Sequence, residues 1–471
     1  MSNNTQHREV SLSSAIGIFT TILLIIMVGK LALGFDTAIL LMIVAMFTSF
    51  VYVFCYKFTW NELFEGGVVP MVARASGAMM ILLTVGPMIA VWMISGTIPY
   101  IIYLGLKILT PKTYLLAAFV LTAISSTVTG TSWGTAATFG VALMGIAVGL
   151  DVSPAIAGGA IVAGSYFGDK LSPVSDTTVL AAAVAEVDVM DHIRSMLWTT
   201  TPAFLISLIV YFLIGSKASG SIDMGQINDI LAALDNTFKL TPITLIPPAC
   251  LLGLAWMRKP TLPVLWVAIA TAIPLGMMQG YDISKVISIM ANGPHISTGI
   301  ENIDKLLSRG GLSFMAGSVA VVFFAYIFAG ELEYSGTFKR ISSALRDKFI
   351  QKNRGKLILS TSLTGIMTGL GTGNSYLSEI VPGTMYKDLF DEMNISRRVL
   401  SRTLEDSGTV VVPLIPWSAA GIYMSTVLGV PVFSYMPWAF LCYLGFITAW
   451  IYGFTGIAIW PKDNDKKKVV R

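Results

Sequence analysis

The stretch TAISSTVTGTSWGTAATFG, residues 122–140, places small polar residues inside an otherwise apolar chain. After an apolar run to Gly149, the same feature returns in GSYFGDKLSPVSDTT, residues 164–178. An unpaired backbone group costs several kcal/mol in hydrocarbon, so a broken helix at membrane depth persists only where protein or a water-filled cavity surrounds it. These two stretches therefore predict a polar site enclosed within a bilayer.

The composition around this site is that of a polytopic membrane protein. The 471 residues are 54% hydrophobic and only 12% charged, whereas a soluble chain carries about 25% charge. The apolar runs have the length of helices, near the roughly 20 residues needed to span a bilayer, and lack the alternation of an outer-membrane barrel. The sequence therefore predicts an all-α protein. Its net charge of +4 comes from loop residues and indicates no nucleic-acid partner.

The order of features repeats along the chain. We predict a first transmembrane repeat at residues 1–215, an extracytoplasmic linker at 216–241, a second repeat at 242–460 and a cytoplasmic basic tail at 461–471. In one pairing, Ser153 and Ser175 match Ser396 and Ser418 at a single offset. The break at Gly130 corresponds more loosely to GTGNSY, residues 371–376. An internal duplication follows from these matches.

The charges predict that the two halves are inverted. Loops rich in Lys and Arg stay in the cytoplasm, and residues 339–356 form the most basic loop, whereas the linker carries Asp223, Asp229 and Asp235. We expect both termini in the cytoplasm, in the cytoplasmic membrane of a prokaryote. Inverted repeats whose broken helices meet near the midplane are the plan of many secondary transporters.

Four stretches resemble the NhaC-type sodium/proton antiporter family: GTSWGT at 130–135, ALMGIA at 142–147, GSYFGDKLSPVSDTT at 164–178 and HIRSMLWTTTPA at 192–203. This family lies in the ion transporter superfamily and includes sodium-coupled malate/lactate antiporters. Where it commonly has Asn-Leu-Ala after SDTT, this chain has Val179, Leu180 and Ala181. The resemblance implies sodium-coupled antiport by a two-repeat helical carrier, with no cofactor and with Na⁺ and H⁺ as transported ions.

The residue types at the breaks suit sodium. Na⁺ is a hard cation that takes oxygen ligands, and broken helices offer freed carbonyls beside Ser and Thr hydroxyls. The alternative is that these small residues only allow close helix packing. The candidate binding residues are Thr129, Thr131, Ser132, Thr135, Asp169, Ser172, Ser175, Asp176 and Thr177 in the first half, and Thr372, Asn374, Ser375, Glu379 and Ser418 in the second.

Asp169 and Asp176 are the candidate proton carriers. An ionisable group within a span costs roughly 2.5 to 3.5 kcal/mol and by default marks an ion path or a buried pair. Burial favours the protonated carboxyl and a bound cation favours the charged one, so one group can exchange H⁺ for Na⁺. We predict Na⁺ at Asp176, with Ser175, Thr131 and Ser132. For Asp169, an ion pair with the adjacent Lys170 is an equal alternative.

The second half carries other charges. Arg402 lies three and four positions from Glu405 and Asp406, the spacing of an ion pair on one helix face. If instead Arg397, Arg398 or Arg402 faces the cavity, the site could bind a small carboxylate or amino acid, and if they face the cytoplasm, a bare cation is favoured.

Further predictions concern function class, assembly and the surroundings of single residues. The sequence has no HExxH, no GxxxxGK[ST] and no paired cysteines, which disfavours an enzyme or a nucleotide-driven pump. The same oxygens could line a channel, but inverted halves favour a carrier. A homodimer is compatible with the sequence. His192 is expected in a solvated loop and Glu331 at the membrane interface.

Overall fold

The computed structural model describes residues 9–217, 224–350 and 353–462, and the secondary structure in these ranges is helical. Eight helices are long and apolar enough to cross a membrane, or up to eleven if each bent pair counts as one span. The prediction of an all-α, multi-pass membrane protein is confirmed.

The first half contains eleven α-helices: α1 (Leu12–Met27), α2 (Thr37–Phe50), α3 (Trp60–Leu63), α4 (Val69–Ile94), α5 (Thr97–Ile108), α6 (Pro111–Thr129), α7 (Ser132–Thr135), α8 (Val141–Gly149), α9 (Pro154–Leu171), α10 (Asp176–Ala185) and α11 (Val189–Ser216). π-helical turns extend α1 and α2 and join α3 to α4 and α7 to α8, so that residues 60–94 and 132–149 each form a continuous span.

The rest of the chain contains α12 (Met224–Thr237), α13 (Ile246–Trp256), α14 (Thr261–Met278), α15 (Ile283–Asn292), α16 (Glu301–Leu307), α17 (Leu312–Tyr334), α18 (Thr337–Phe349), α19 (Arg354–Thr372), α20 (Ser375–Glu392), α21 (Arg397–Ser407), α22 (Ala419–Leu428), α23 (Val432–Tyr435) and α24 (Phe440–Thr455). The linker is therefore partly helical: α12 buries Ile227, Ile230 and Leu234 against the protein. Residues 463–471 of the basic tail lie outside the described residues.

The helix bounds repeat along the chain. Helices α6 and α19 have 19 residues each and end at a left-handed glycine, Gly130 (φ 68°) or Gly373 (φ 61°). The next residue, Thr131 or Asn374, caps the following helix by accepting a backbone N–H bond. Gly373, rather than Gly371, is thus the counterpart of Gly130, because Gly371 lies inside α19. Its offset from Gly130 equals that between Ser153 and Ser396, which precede α9 and α21.

Small residues let α9 approach α6 closely. A methyl group added to Gly168 would overlap the backbone of Thr127 and Ala123, and one added to Gly164 would overlap Phe119 and Thr122. Such small residues are how membrane helices bring their backbones together. This contact fixes the C-terminal turn of α9, which carries Asp169, beside the break after α6.

The contact predicts that Gly168→Ala destabilises the fold. Overpacking of a tight interior typically costs about 1–3 kcal/mol, so the unfolding midpoint of the detergent-solubilised protein should fall. Gly77→Ala, on α4, is the matched control because a methyl group there meets no atom within 4 Å. Equal midpoints for both variants would contradict the proposed close packing.

The inverted arrangement of the halves remains a prediction, and cysteine labelling tests it. In a background without Cys55, Cys250 and Cys442, new cysteines at Arg340 and Asp229, both exposed, should react with an impermeant reagent from opposite sides of the membrane. Labelling of both from the same side would reject the inversion.

Candidate functional site

The two helix breaks line one cavity of about 400 Å³. From the first half come Thr129 to Gly134, and from the second half Gly373 to Tyr376. The first residues of α22 complete that wall, and Asp169, Asp176 and Thr177 lie at the cavity as well. The breaks that the sequence predicted separately are therefore brought together around one space.

Asp169 is the buried acid of this cavity, with 6% of its surface exposed. The Ser132 hydroxyl donates to Oδ2 over 2.7 Å, and the Ser175 hydroxyl donates to Oδ1 over 2.8 Å. Ser132 is the first residue of α7 and Ser175 directly precedes α10, so both serines lie where a helix begins. The carboxylate of Asp169 thus joins the two interruptions of the first half.

Asp176 occupies a different environment. It is exposed at the cavity surface, where the Tyr376 hydroxyl donates to its Oδ2. Its other oxygen accepts the backbone N–H of Thr177 over 3.0 Å. Ser132 and Ser175, which were predicted to bind sodium together with Asp176, form hydrogen bonds with Asp169 instead. Thr131 uses its hydroxyl to cap α7.

Several predicted site hydroxyls hold backbone at the breaks. Ser172 donates to the Thr127 carbonyl over 2.9 Å, Thr372 donates to the Thr368 carbonyl over 2.7 Å, and Ser418 donates to the Val412 carbonyl over 2.6 Å. Asn374 and Ser418 also cap α20 and α22. The remaining candidates lie at the cavity or directly behind it: Thr129, Thr135, Thr177 and Ser375. The hydroxyl oxygens of Thr129 and Thr135 are 3.5 Å apart. Inside a membrane, the freed backbone groups of a broken helix need such hydrogen-bond partners.

Behind the cavity lies a group of fully buried charged residues. The Lys170 ammonium forms an ion pair with Asp406. Among the described residues, the predicted ion pair of Arg402 with Glu405 or Asp406 is not formed, and neither is the alternative pair between Asp169 and Lys170. Neighbouring positions on α9 point in different directions, so Asp169 faces the cavity while Lys170 reaches α21. The three guanidinium nitrogens of Arg402 have no hydrogen-bond partner among the described residues, and the guanidinium lies 5.6 Å from the Trp460 ring centre.

The arginines predicted as possible anion ligands do not line the cavity. Arg397 forms ion pairs with Asp391, at 2.8 Å, and with Glu186. The cations at the cavity are instead Arg74, Arg258 and Lys259. Sequence reasoning missed them because Arg74 lies within the span 60–94 and the other two lie in the α13–α14 turn, far along the chain from either break.

Two buried polar residues differ from expectation. His192 is fully buried, with Nδ1 2.9 Å from the Ser401 hydroxyl, so its assignment to a solvated loop is wrong. Glu331 is fully buried near the end of α17 and accepts hydrogen bonds from Thr48 and Ser49 of α2, so it faces the protein rather than solvent; its position at the membrane interface stays a prediction. Both are covered by helices from distant parts of the sequence.

Aromatic contacts tie the first break to the second half. Trp133 stacks on Tyr423 of α22, with ring centres 4.2 Å apart and planes at 18°. The Tyr423 hydroxyl also donates to the Trp133 carbonyl over 2.8 Å. A stacking contact and a hydrogen bond therefore hold the first break against the second half.

The chain is similar to known transporters over most of its length. It is 39% identical to the Na⁺/H⁺ antiporter NhaC of Alkalihalophilus pseudofirmus over 86% of this chain and 87% of that protein. It is 37% identical to the malate-2H⁺/Na⁺-lactate antiporter of Bacillus subtilis over 88% of each chain. It is 35% identical to the arginine/ornithine antiporter ArcD of Halobacterium salinarum over 93% of this chain and 91% of that protein.

Among solved structures, Neisseria gonorrhoeae MtrF aligns over 94% of this chain and 97% of its own, with 12% identity and a TM-score of 0.39, a likeness too low to carry an argument. The model of the Na⁺/H⁺ antiporter family matches residues 164–457, from the start of the GSYFGDKLSPVSDTT stretch to the end of the last span. The relatives above are antiporters rather than enzymes, and with this match and these identities the chain belongs to the Na⁺/H⁺ antiporter family.

Proposed function

We propose that this transporter exchanges Na⁺ for H⁺ by alternating access in the cytoplasmic membrane, and that Na⁺ binds at Asp169. The observation that supports the proposal is the buried Asp169 carboxylate, held by Ser132 and Ser175 at the cavity. Asp169 replaces Asp176 as the favoured sodium ligand because it combines burial with two hydroxyl neighbours.

The oxygen atoms around Asp169 suit a hard cation. A hydroxyl has one donor hydrogen and two acceptor lone pairs, so the oxygens of Ser132 and Ser175 can coordinate Na⁺ beside the carboxylate they now bond. Backbone carbonyls at the break between α6 and α7 add oxygen ligands. The charged ammonium of Lys170 does not compete for this carboxylate, since it pairs with Asp406.

The burial of the Asp169 carboxylate explains why Na⁺ and H⁺ would be exchanged there. A charged carboxylate inside a membrane protein is costly unless a cation or a proton neutralises it. Na⁺ and H⁺ therefore compete for the Asp169 carboxylate. With either ion bound the site is neutral, so access to it can switch from one side of the membrane to the other. Asp176 places a second carboxylate at the cavity surface, where it attracts a sodium ion that approaches Asp169.

Asp169→Asn should abolish sodium flux driven by a pH gradient in proteoliposomes, because the amide offers no charge for either ion. Asp176→Asn should raise the half-saturating Na⁺ concentration and leave the maximal rate largely intact. Asp229→Asn, at an exposed position of helix α12, is the control and should resemble the unchanged protein. Normal flux in the Asp169 variant would overturn the assignment of sodium to this residue.

A second candidate function is sodium-coupled exchange of a small carboxylate or amino acid. The cavity of about 400 Å³ has far more room than a sodium ion needs. The exposed cations Arg258 and Lys259 lie at the cavity, and helices α7, α20 and α22 begin there. A helix N-terminus carries roughly half a positive charge and attracts anions. This candidate comes second because Arg397, Arg398 and Arg402 do not line the cavity.

The two candidate functions differ in whether sodium flux requires an organic solute. Sodium/proton exchange predicts sodium flux under a pH gradient without any organic solute, and Arg258→Asn should leave that flux unchanged. Asparagine suits this site because Arg258 has a left-handed backbone (φ 59°). Flux that starts only when malate, lactate, arginine or ornithine is added, and that Arg258→Asn weakens for the acids, would favour the exchanger.

A further inference from the structure

The cavity reaches solvent at one end. Its exposed cations Arg258 and Lys259 lie there in the α13–α14 turn, and the exposed Arg74 lies near the start of α4. Along α4 the lining residues extend from Arg74 to Ile81, a rise of about 10 Å. The cavity therefore extends into the protein from the end marked by Arg258, which we call the Arg258 end.

Helix α17 passes the cavity and continues to the opposite end of the protein. Near the end of α17, Glu333 pairs with Arg74 over 2.9 Å. Tyr326, in the middle of the helix, lines the cavity. Gly311, just before the helix starts, donates its backbone N–H to the Gly86 carbonyl, about 18 Å beyond Arg74 along α4. The start of α17 thus marks the far end, away from Arg258.

Helix α22 runs from the cavity toward the same far end. It begins at Ala419, which lines the cavity, and ends at Leu428, about 13 Å further along its axis. The hydroxyl oxygens of Ser318 on α17 and Thr426 on α22 are 2.7 Å apart. The two helices are therefore in polar contact between the cavity and the far end.

Arg309, in the connection that leads into α17, closes the end of α22. Its Nη1 donates to the Leu428 carbonyl over 3.2 Å. The last carbonyls of a helix carry partial negative charge, so a cation is favoured there. The guanidinium lies against Gly429, where an added methyl group would overlap it. Arg309 is the cation that joins this connection to the end of α22.

These contacts join the part of the protein that carries the ion site to a part that does not. Tyr423 of α22 stacks on Trp133 at the first break, and the Ala419 N–H donates to the Gly373 carbonyl at the second break over 3.3 Å. Helix α17 is instead held by α2, through Glu331, and by α4. The α17–α22 contact is thus a boundary between these two parts.

We propose that the contacts Arg309–Leu428 and Ser318–Thr426, together called the seal, close the path from the ion site to the far end and break when the site opens to that side. This inference rests on the alternating access of the proposed function and not on which ion is carried. Alternating access moves one group of helices against another around a fixed site. With the seal formed, Asp169 is reached from the Arg258 end.

Arg309→Gln should shift the protein toward the state that is open at the far end. The measurement is the reaction of Val174→Cys, at a half-buried position of the cavity, with an impermeant thiol reagent in right-side-out and inside-out vesicles. The three native cysteines are replaced, and Lys259→Cys, at an exposed position, identifies the face of the Arg258 end.

Without the arginine substitution, the cavity cysteine should react mainly from the Arg258 end. In Arg309→Gln, its reaction from the opposite face should rise by up to about tenfold, since a hydrogen bond to a charged group is worth at least that factor in an equilibrium constant. Lys305→Gln is the matched control, because Lys305 lies in the same connection but is exposed and pairs with Glu301. It should leave the sidedness of labelling unchanged.

A cross-link tests the second contact of the seal. Cysteines can be bridged when their Cβ atoms lie about 3.5–4.5 Å apart, and the side chains of Ser318 and Thr426 touch. Oxidation of the double variant Ser318→Cys/Thr426→Cys should stop transport, and reduction should restore it. Each single cysteine variant should transport normally under the same oxidant.

The outcomes are distinguishable. Unchanged sidedness of labelling in monodisperse Arg309→Gln, or normal transport after complete cross-linking, would overturn the inference. If Arg309→Gln elutes as an aggregate, the cross-link decides. Labelling needs no transported ion, so an unchanged protein that fails to exchange Na⁺ for H⁺ would refute the proposed function and leave the seal to the labelling result.

Discussion

The hydrogen bonds from Ser132 and Ser175 to the Asp169 carboxylate are the interaction on which the site depends. Each serine reaches Asp169 because a helix begins beside it, and a helix can begin at membrane depth only where its freed backbone groups find partners. Capping by Thr131 supplies such a partner at the first break, where its hydroxyl accepts the backbone N–H of Gly134. Asp169 and the helix breaks therefore form one structural unit, because without the two serines the charged carboxylate would lose its hydrogen-bond partners.

Close packing makes this unit possible. Gly164 and Gly168 bring α9 against α6, which leaves space for Asp169 at the break and directs Lys170 toward Asp406 on α21. The breaking of a buried ion pair by loss of one partner typically costs about 3–5 kcal/mol. The Lys170–Asp406 pair thus couples the α9 helix to the second half at the position where both halves line the cavity.

Much of the fold could be predicted from local signals. Apolar runs of helix length gave the spans, and glycine-threonine clusters gave the breaks, because both effects act within a few residues of the chain. The choice between Asp169 and Asp176 could not be made this way. Which acid is buried depends on helices that approach from far along the sequence. The same reason explains the errors at Arg402 and His192: Asp406 pairs with Lys170 of α9 rather than with Arg402, and His192 lies beside Ser401 of α21. The inverted orientation and the roles of individual residues remain predictions.

Competition between sodium and protons for the buried Asp169 carboxylate is the central claim, and proton release measures it most directly. The purified protein, in weakly buffered detergent solution with a pH indicator, is titrated with sodium chloride and, in parallel, with choline chloride. The account predicts that sodium releases protons to the solution and that choline releases none. Saturable binding of sodium without any release of protons would contradict it.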